Sequence, residues 1–348
     1  MKIERILVRG TNWLGDAVMT TPALERLRTS FPAAHIALLA TGLTARLFQT
    51  SPFVNEVLEY RRREEGVKAF FATVGELRAR RFDLAVLFQN AFEAALLAAL
   101  GGTRLRIGFA EQGRGFLLTH KLHRGARHRN RHQIHDYLDI VAECERVCLS
   151  QTFQPADAQP LPSLLARSDA TDRLRERFQL EQPLIALNTA ATNSRAKCWP
   201  EAYFAALADK LIDDFGAQVV FIGAASERAN AEGVIQKMAR REALNLAGET
   251  TMAELVGLLA ECSLLVSNDT GPAHVAAALG TPTLTIFGPT NEFETAPTGL
   301  RAELIRAPGI DCARCMHRDC PIDHRCMTRI TPEDVLARAR SLLLSATL

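Results

Sequence analysis

Short apolar runs alternate with helix-forming stretches along most of this 348-residue chain. Apolar runs of about four to eight residues bounded by turn residues are typical of buried parallel strands. The runs predict strands at residues 3–8, 35–41, 54–60, 82–90, 104–109, 183–190, 218–223, 263–268 and 283–287. Because helical stretches separate these strands, we predict an α/β protein with mostly parallel sheets wound on both faces.

A break in this pattern divides the chain into two domains. Residues 151–162 are rich in Gln and Pro and show no periodicity, and the alternation restarts near residue 183. We therefore predict a Rossmann-like, doubly wound domain over 1–150, a linker over 151–162 and a second such domain over 163–330. A final helix within 331–348, capped by Thr331, is placed to pack back on the first domain.

The segment 263–290, SLLVSNDTGPAHVAAALGTPTLTIFGPT, predicts a strand, a tight turn, a helix and another strand. Asp269 or Thr270 can cap the helix, Gly271 frees the backbone at the turn, and Pro272 suits the first helical turn. Free N–H groups and the helix dipole would let this turn bind phosphate without a metal. An ordinary strand–helix–strand unit with a good cap has the same pattern, so both interpretations stay open.

The loop GTNWLGD at residues 10–16 follows the first predicted strand. Its glycine spacing is similar to that of a P-loop, but Asp16 and Ala17 stand where Lys and Ser or Thr are required. The loop is not a dinucleotide fingerprint either. Asp16 could accept a proton from a hydroxyl group, or it could cap the helix that follows.

Composition restricts the class of protein. The chain is 47% hydrophobic and 23% charged, as in soluble globular proteins. No apolar run approaches the roughly 18–20 residues of a membrane span, and charged residues interrupt any signal-peptide core. A net charge of +2 gives no overall field for nucleic acid. We expect a cytoplasmic protein.

Positive charge is nevertheless unevenly distributed. Residues 112–135 contain no acidic residue, although they include Arg114, Lys121, Arg124, Arg127, Arg129 and Arg131. Arg61, Arg62 and Arg63 form a second basic group. The missing acids favour an anionic partner over a merely solvated loop.

Four of the eight cysteines cluster near the end of the chain, at Cys312, Cys315, Cys320 and Cys326, with His317 and His324 among them. In a cytosolic protein this cluster suggests a metal more than a disulfide. The spacings are shorter than in common zinc sites, so a structural Zn or Fe site and a set of reduced thiols both fit.

The second predicted domain also offers one lysine, Lys197, in the loop at residues 189–199. A lysine beside a helix N-terminus can neutralise a diphosphate leaving group. The chain has no Asp-x-Asp pair of the kind that holds Mg²⁺ or Mn²⁺ in many nucleotide-sugar transferases. These features fit metal-free transfer from a nucleoside diphosphate sugar.

The chain resembles the ADP-heptose:lipopolysaccharide heptosyltransferases, glycosyltransferase family 9, over essentially its whole length. The resemblance rests on ILVRGTNWLGDAVMTTPAL, on NTAATNSRAKCWPEAYF and on SNDTGPAHVAAALGTPTLTIFGPT. It implies a GT-B fold and inverting, metal-independent transfer of heptose from ADP-heptose to the lipopolysaccharide inner core, with no catalytic cofactor. Within the family, the chain is most similar to the members that add the second heptose.

The resemblance also implies roles for individual residues. Asp16 is the expected catalytic base, and the donor-binding residues are Lys197, Asp269, Thr270, Gly271, His274 and, as the nearest match to a ribose-binding acid, Glu227. We expect Arg61, Arg62, Arg63 and Arg124 to bind the acceptor, a Kdo- or heptose-bearing lipid A at the inner face of the inner membrane.

Three alternatives stay open. Addition of the first heptose would use the same fold and donor. A nucleotide-sugar 2-epimerase shares the two-domain fold but needs several acid/base groups around the sugar. A non-catalytic nucleotide-sugar or lipid A binding module would tolerate loss of the Asp16 carboxylate, which a transferase would not.

Overall fold

The computed structural model describes residues 2–125, 131–150, 160–192 and 194–345, and these form two compact units. The division falls between Ser163 and Leu164, next to the end of the linker predicted over 151–162. Most of that linker, residues 151–159, lies outside the described residues.

The first unit is built on a six-stranded sheet in which all neighbouring strands are parallel. Its strands are β1 (Arg5–Arg9), β2 (His35–Ala40), β3 (Glu56–Glu59), β4 (Leu84–Leu87), β5 (Leu105–Phe109) and β6 (His120–Leu122). Its helices are α1 (Leu14–Met19), α2 (Thr21–Ser30), α3 (Gly42–Leu47), α4 (Arg62–Glu65), α5 (Val67–Arg80), α6 (Phe92–Leu100) and α7 (Ile134–Leu149). The central strands are buried on both faces, as a continuous apolar run predicts.

The second unit repeats this design with another all-parallel six-stranded sheet. Its strands are β7 (Leu184–Asn188), β8 (Gln218–Phe221), β9 (Leu244–Asn245), β10 (Leu264–Asn268), β11 (Thr283–Phe287) and β12 (Ala302–Arg306). Its helices are α8 (Ser168–Phe178), α9 (Glu201–Phe215), α10 (Arg228–Lys237), α11 (Met252–Glu261), α12 (Gly271–Ala278), α13 (Glu292–Thr295), α14 (Arg325–Thr328) and α15 (Pro332–Leu344).

Both sheets have the same strand order. The first runs β3-β2-β1-β4-β5-β6, and the second runs β9-β8-β7-β10-β11-β12. In each sheet the order reverses between two central strands, β1 and β4 or β7 and β10. The loops that follow these two strands leave in opposite directions and open a crevice, where ligands bind in open α/β sheets. The predicted fold class of two doubly wound α/β units is confirmed.

The last helix belongs to the second unit. Its capping box joins Thr331 and Asp334, and the buried face of α15, at Val335, Ala339 and Leu342, lies in the core that also contains residues of α9. The apolar stripe of α15 is thus covered within its own unit, and its packing on the first domain stays a prediction.

Candidate active site

In the first unit, the crevice between β1 and β4 contains a cavity of about 220 Å³. Its walls come from the loop after β1, the loop after β4 and the first turn of α7. Polar side chains dominate the lining: Asn12, Asp16, Gln89, Asn90, Gln112, Arg124, Gln133 and Asp136. A carboxamide can donate to one hydroxyl group and accept from another at the same time. This carboxamide-rich lining therefore suits a polyhydroxy ligand.

Asp16 lies in the wall of this cavity, in the first turn of α1. The N-cap of α1 is Trp13, so the alternative in which Asp16 caps the helix does not hold. Tyr137 of α7 is also in the wall. Burial, and secondly the charge of Asp16, raise the pKa of Tyr137 well above its ordinary value, so its hydroxyl stays neutral. Gln133 Nε2 donates to this hydroxyl over 2.6 Å.

A buried arginine supports the loop that carries Asp16. Arg9, at the end of β1, donates from its guanidinium to the carbonyl oxygen of Gly10 and, over 3.2 Å, to Asn12 Oδ1. Its guanidinium also stands 5.6 Å from the ring centre of Tyr60. Burial lowers the pKa of Arg9 to about 10, which leaves it protonated at neutral pH. The first residues of this loop are therefore held in place by a buried side chain.

The structure places the predicted acceptor-binding arginines in different surroundings. Arg124 lines the cavity and pairs with Asp136 over 2.8 Å. Arg61 pairs with Glu59 at 3.2 Å, and Arg62 with Glu93 at 3.0 Å. Arg63 is exposed, and no carboxylate of the described residues lies within ion-pair distance of it.

One member of the basic stretch is in the core. Arg114 is 0% exposed and donates from Nε to the Phe109 carbonyl over 2.8 Å and from Nη2 to Asn90 Oδ1 over 3.0 Å. It therefore supports the cavity wall and cannot meet an acceptor. Arg127 and Arg129 lie outside the described residues. Residues 112–135 contain no acid, but helix α7 supplies a carboxylate to them, since Arg131 pairs with Asp139.

In the second unit, side-chain amides join the ends of the two central strands. Asn188 Nδ2, at the end of β7, donates to Thr270 Oγ1 over 2.7 Å, and Asn268 Nδ2, at the end of β10, donates to the Thr189 carbonyl over 2.9 Å. Thr270 is the N-cap of α12 but makes no side-chain capping bond. The turn is thus held by its neighbours, and the N-terminal N–H groups of α12 have no side-chain cap.

Lys197 and Asp269 form a close ion pair at this turn. Lys197 Nζ lies 2.9 Å from Asp269 Oδ2 and 3.2 Å from the Asp269 carbonyl oxygen. Thr290 Oγ1 donates to the same carboxylate oxygen over 2.7 Å. Since Asp269 is 5% exposed, the pair is fixed in place beside the N-terminus of α12. An ammonium group has three donors, so Lys197 can hold Asp269 and a ligand oxygen together.

Two other predicted donor-binding residues lie on different elements. His274 is buried in α12, one turn after Thr270. Glu227 ends a single helical turn after β8, where its carboxylate accepts from Thr192 Oγ1 over 2.9 Å and from the Ala224 N–H over 2.8 Å. The structure thus groups Lys197, Asp269 and Thr270, while Glu227 is joined to the Lys197 loop by the hydrogen bond from Thr192.

The cysteine cluster is not arranged as a metal site. All four cysteines lie in the described part of the chain, where no group of three or more His, Cys, Asp or Glu residues could hold a metal ion. Cys326 is buried in the core and Cys312 packs against it, whereas Cys315 is exposed. The expectation of a structural Zn or Fe site is therefore not supported.

Several residues of these two regions were not anticipated from the sequence. They are Asn12, Gln89, Asn90, Gln133 and Tyr137 in the first unit and Asn188, Asn268 and Thr290 in the second. Two of them could have been recognised from the sequence, because Asn188 and Asn268 are polar residues that end apolar strands.

Two Rossmann-like units with polar groups at both switch points are the architecture of the GT-B type, and a solved heptosyltransferase of this type matches the chain. The chain belongs to glycosyltransferase family 9 (heptosyltransferase), whose sequence profile matches residues 71–325. The family expected from the motifs is thereby confirmed, and the protein is a glycosyltransferase.

Individual relatives cover the whole chain. It is 29% identical to lipopolysaccharide heptosyltransferase 2 of Escherichia coli strain K12, over 98% of this chain and 99% of that protein. The solved structure of E. coli ADP-heptose lps heptosyltransferase II matches with a TM-score of 0.84 at 28% identity, over 99% of this chain and 100% of that one. The family 9 glycosyl transferase of Veillonella parvula matches with a TM-score of 0.82 at 21% identity, over 99% of each chain, which supports the fold. Among the described helices, none is long and apolar enough to cross a membrane.

Proposed function

We propose that this protein transfers heptose from ADP-heptose to the inner core of lipopolysaccharide, with inversion and without a catalytic metal, and that it adds the second heptose. The observation that carries the proposal is the Lys197–Asp269 pair beside the N-terminus of α12. End-to-end similarity to the E. coli protein named lipopolysaccharide heptosyltransferase 2 supports the choice of sugar and acceptor.

The donor diphosphate would bind at the turn between β10 and α12. Backbone N–H groups at Gly271 and the positive end of the helix dipole attract its oxygens, and Lys197 adds a full positive charge. Asp269 holds Lys197 in position, and His274 stands one turn further along the helix. Glu227 would accept a hydrogen bond from the ribose in place of the one it accepts from Thr192.

Asp16 would act as the general base. Its carboxylate removes the proton from the acceptor hydroxyl, whose oxygen attacks the anomeric carbon opposite the diphosphate. The bond from that carbon to the diphosphate oxygen breaks, and ADP leaves with the bonding electrons. Lys197 and the α12 N-terminus stabilise the charge that develops on this oxygen. A single displacement at the anomeric carbon inverts the configuration of that carbon.

The acceptor sugar would occupy the cavity beside Asp16. Its carboxamide lining suits sugar hydroxyls, and Arg124 has its charge largely balanced by Asp136. A neutral sugar therefore fits the reacting position better than a carboxylate, which favours a heptose over Kdo. Arg61, Arg62 and Arg63 would meet the anionic groups of the lipid and draw the protein to the cytoplasmic face of the inner membrane.

Two acceptors distinguish this proposal from addition of the first heptose. Purified protein with ADP-heptose should extend heptosyl-Kdo-lipid A and leave Kdo-lipid A unchanged, as measured by mass spectrometry of the lipid. Extension of Kdo-lipid A alone would indicate the first addition, and release of free ADP-heptose epimer would indicate an epimerase. Membership of a glycosyltransferase family does not favour that epimerase or a non-catalytic binding module.

The same assay tests the metal-free mechanism. Because protein groups supply the positive charge at the diphosphate, activity should survive treatment with EDTA followed by assay in metal-free buffer. Complete loss of activity that Mg²⁺ restores would contradict the mechanism.

A further inference from the structure

The segment that carries the clustered cysteines contacts the turn that carries Lys197. We name residues 310–326 the cysteine segment. The Ala196 N–H donates to the Arg318 carbonyl over 2.9 Å, and His324 Nε2 lies 2.7 Å from the Ala196 carbonyl oxygen. Both backbone groups of Ala196, the residue before Lys197, are therefore bonded to this segment. An exposed pair between Arg195 and Asp319 adds little to these bonds.

The cysteine segment is also fixed to the loop that follows β11. The Met316 N–H donates to the Pro289 carbonyl over 2.9 Å, and Arg314 pairs with Glu292. This loop carries Thr290, which donates to the Asp269 carboxylate. One segment thus braces both groups that hold Asp269, Lys197 on one side and Thr290 on the other.

The geometry of His324 is fixed by its own surroundings. Its backbone has φ +58° and ψ +24°, in the left-handed region, and it caps α14, whose Cys326 and Met327 are buried in the core. Its N–H donates to Cys320 Sγ over 3.3 Å. Because a carbonyl oxygen only accepts, the His324 ring carries a proton on Nε2 and donates it to Ala196.

We propose that His324 is a positioning residue for Lys197. By donating from Nε2 to the Ala196 carbonyl, it holds the turn Arg195–Lys197 where the ammonium group reaches both Asp269 and the donor diphosphate. The proposal rests on the donor-binding role given to Lys197 above. It also gives the cysteine segment a function, which is to support the donor site mechanically.

The test compares two substitutions of equal length. His324→Gln keeps an N–H donor near the Nε2 position, and His324→Met removes it, while both share the strain of the left-handed backbone. Loss of this part-buried hydrogen bond should raise the Kd for ADP roughly three- to tenfold in the methionine variant. The glutamine variant should stay within about twofold of wild type by the same reasoning. Titration calorimetry with ADP in metal-free buffer measures the Kd of both variants.

A double variant separates positioning from general damage. If His324 acts through Lys197, His324→Met should cause no further loss of ADP affinity in a Lys197→Ala background. In turnover assays the methionine variant should raise the KM for ADP-heptose and leave the KM for the acceptor unchanged. If His324→Met does not fold, His324→Asn serves instead, because Asn tolerates the left-handed region and its amide is too short to reach Ala196.

Asp319→Asn is the control within the cysteine segment, since it removes only the exposed pair with Arg195. It should leave ADP affinity unchanged. Unchanged ADP affinity in His324→Met, or an equal loss with and without Lys197, would overturn the positioning role. Normal ADP binding by Lys197→Ala alone would instead overturn the donor-binding role of Lys197, so the two failures are distinguishable.

Discussion

At the scale of single residues, the two candidate regions, one in each unit, depend on polar groups that are held before any ligand arrives. Asp16 follows a loop supported by the buried Arg9, and Lys197 is fixed between Asp269 and its own braced turn. Side chains fixed in this way lose little freedom when a ligand binds, so their interactions are available to the reaction.

Asp16→Asn should abolish most turnover while leaving donor binding intact. The amide keeps the shape of the carboxylate but cannot accept the hydroxyl proton, so kcat should fall by about 10²- to 10⁴-fold. Glu25→Gln, an exposed carboxylate-to-amide change on α2, is the matched control. Steady-state kinetics and ADP titration report the two properties separately. Near-normal kcat in Asp16→Asn would remove Asp16 from catalysis.

Lys197→Ala should weaken ADP binding by about 1.5–3 kcal/mol, the range of a charge-assisted hydrogen bond. The substitution also leaves the buried Asp269 without its ion-pair partner, so thermal stability should be measured alongside affinity. Lys210→Ala, at an exposed position of α9, provides a control for loss of one positive charge. Equal ADP affinity in the two variants would contradict the assignment.

The sequence located single candidate residues better than their partners. Lys197 and the Asp269–Gly271 turn could be singled out as candidates because motifs are local. The bonds that hold them join distant positions, as between Asn188 and Thr270 or between Thr290 and Asp269. The scarcity of acids near Arg124 was misleading for the same reason, because Asp136 reaches it from the next helix.

At the scale of elements, the sequence predicted the buried strands and missed three strands at sheet edges. β6 and β12 are the outer strands on one side of their sheets, and β9 is outermost on the other side of the second. Their side chains are partly exposed, so they lack the continuous apolar run by which the central strands were recognised. The pattern therefore predicted the middle of each sheet and the edge strand β3, but it missed the other three edge strands.

Helix α12 is packed so closely that its neighbour must be a glycine. A Cβ on Gly299 would lie 2.4 Å from the Ala277 carbonyl oxygen and 3.2 Å from the Ala277 Cα. Gly299→Ala should therefore destabilise the protein by about 1–3 kcal/mol, because backbone atoms of α12 must move. Urea unfolding followed by fluorescence or circular dichroism measures the change.

Gly75→Ala is the control for this prediction. Gly75 lies inside α5, and apart from its chain neighbours and the backbone of its own helix no atom lies within 4 Å of the position a Cβ would take. Removing a helical glycine should raise stability by about 0.5–1 kcal/mol. If Gly299→Ala were as stable as Gly75→Ala, the close contact with α12 would be wrong.

At the scale of the whole molecule, charge should matter to the acceptor more than to the donor. The proposed acceptor presents several negative charges at a membrane surface, where each nearby Lys or Arg contributes about 1 kcal/mol. The combination of Arg61→Glu and Arg63→Glu should raise the acceptor KM and leave the ADP Kd unchanged. Added salt should weaken acceptor use by the wild type in the same direction.

Arg329→Glu, an exposed charge reversal in the second unit, is the control for net charge. It should change neither the acceptor KM nor the ADP Kd. A normal acceptor KM in the double variant, or a loss of ADP binding, would contradict the assignment of the acceptor to the first unit.

The shared strand order has a consequence for the time at which the site forms during synthesis. β1 and β7 leave the ribosome first in their halves, yet each needs a neighbour made much later, since Ile6 lies opposite Leu84 and Ile185 opposite Leu264. Pairing between such distant segments is slow, because a long stretch of chain must be ordered first. The loop of Asp16 and the turn of Lys197 follow these two strands. A nascent chain therefore carries its reactive groups from early on, but it acquires a working crevice only when β4 pairs with β1 and β10 pairs with β7.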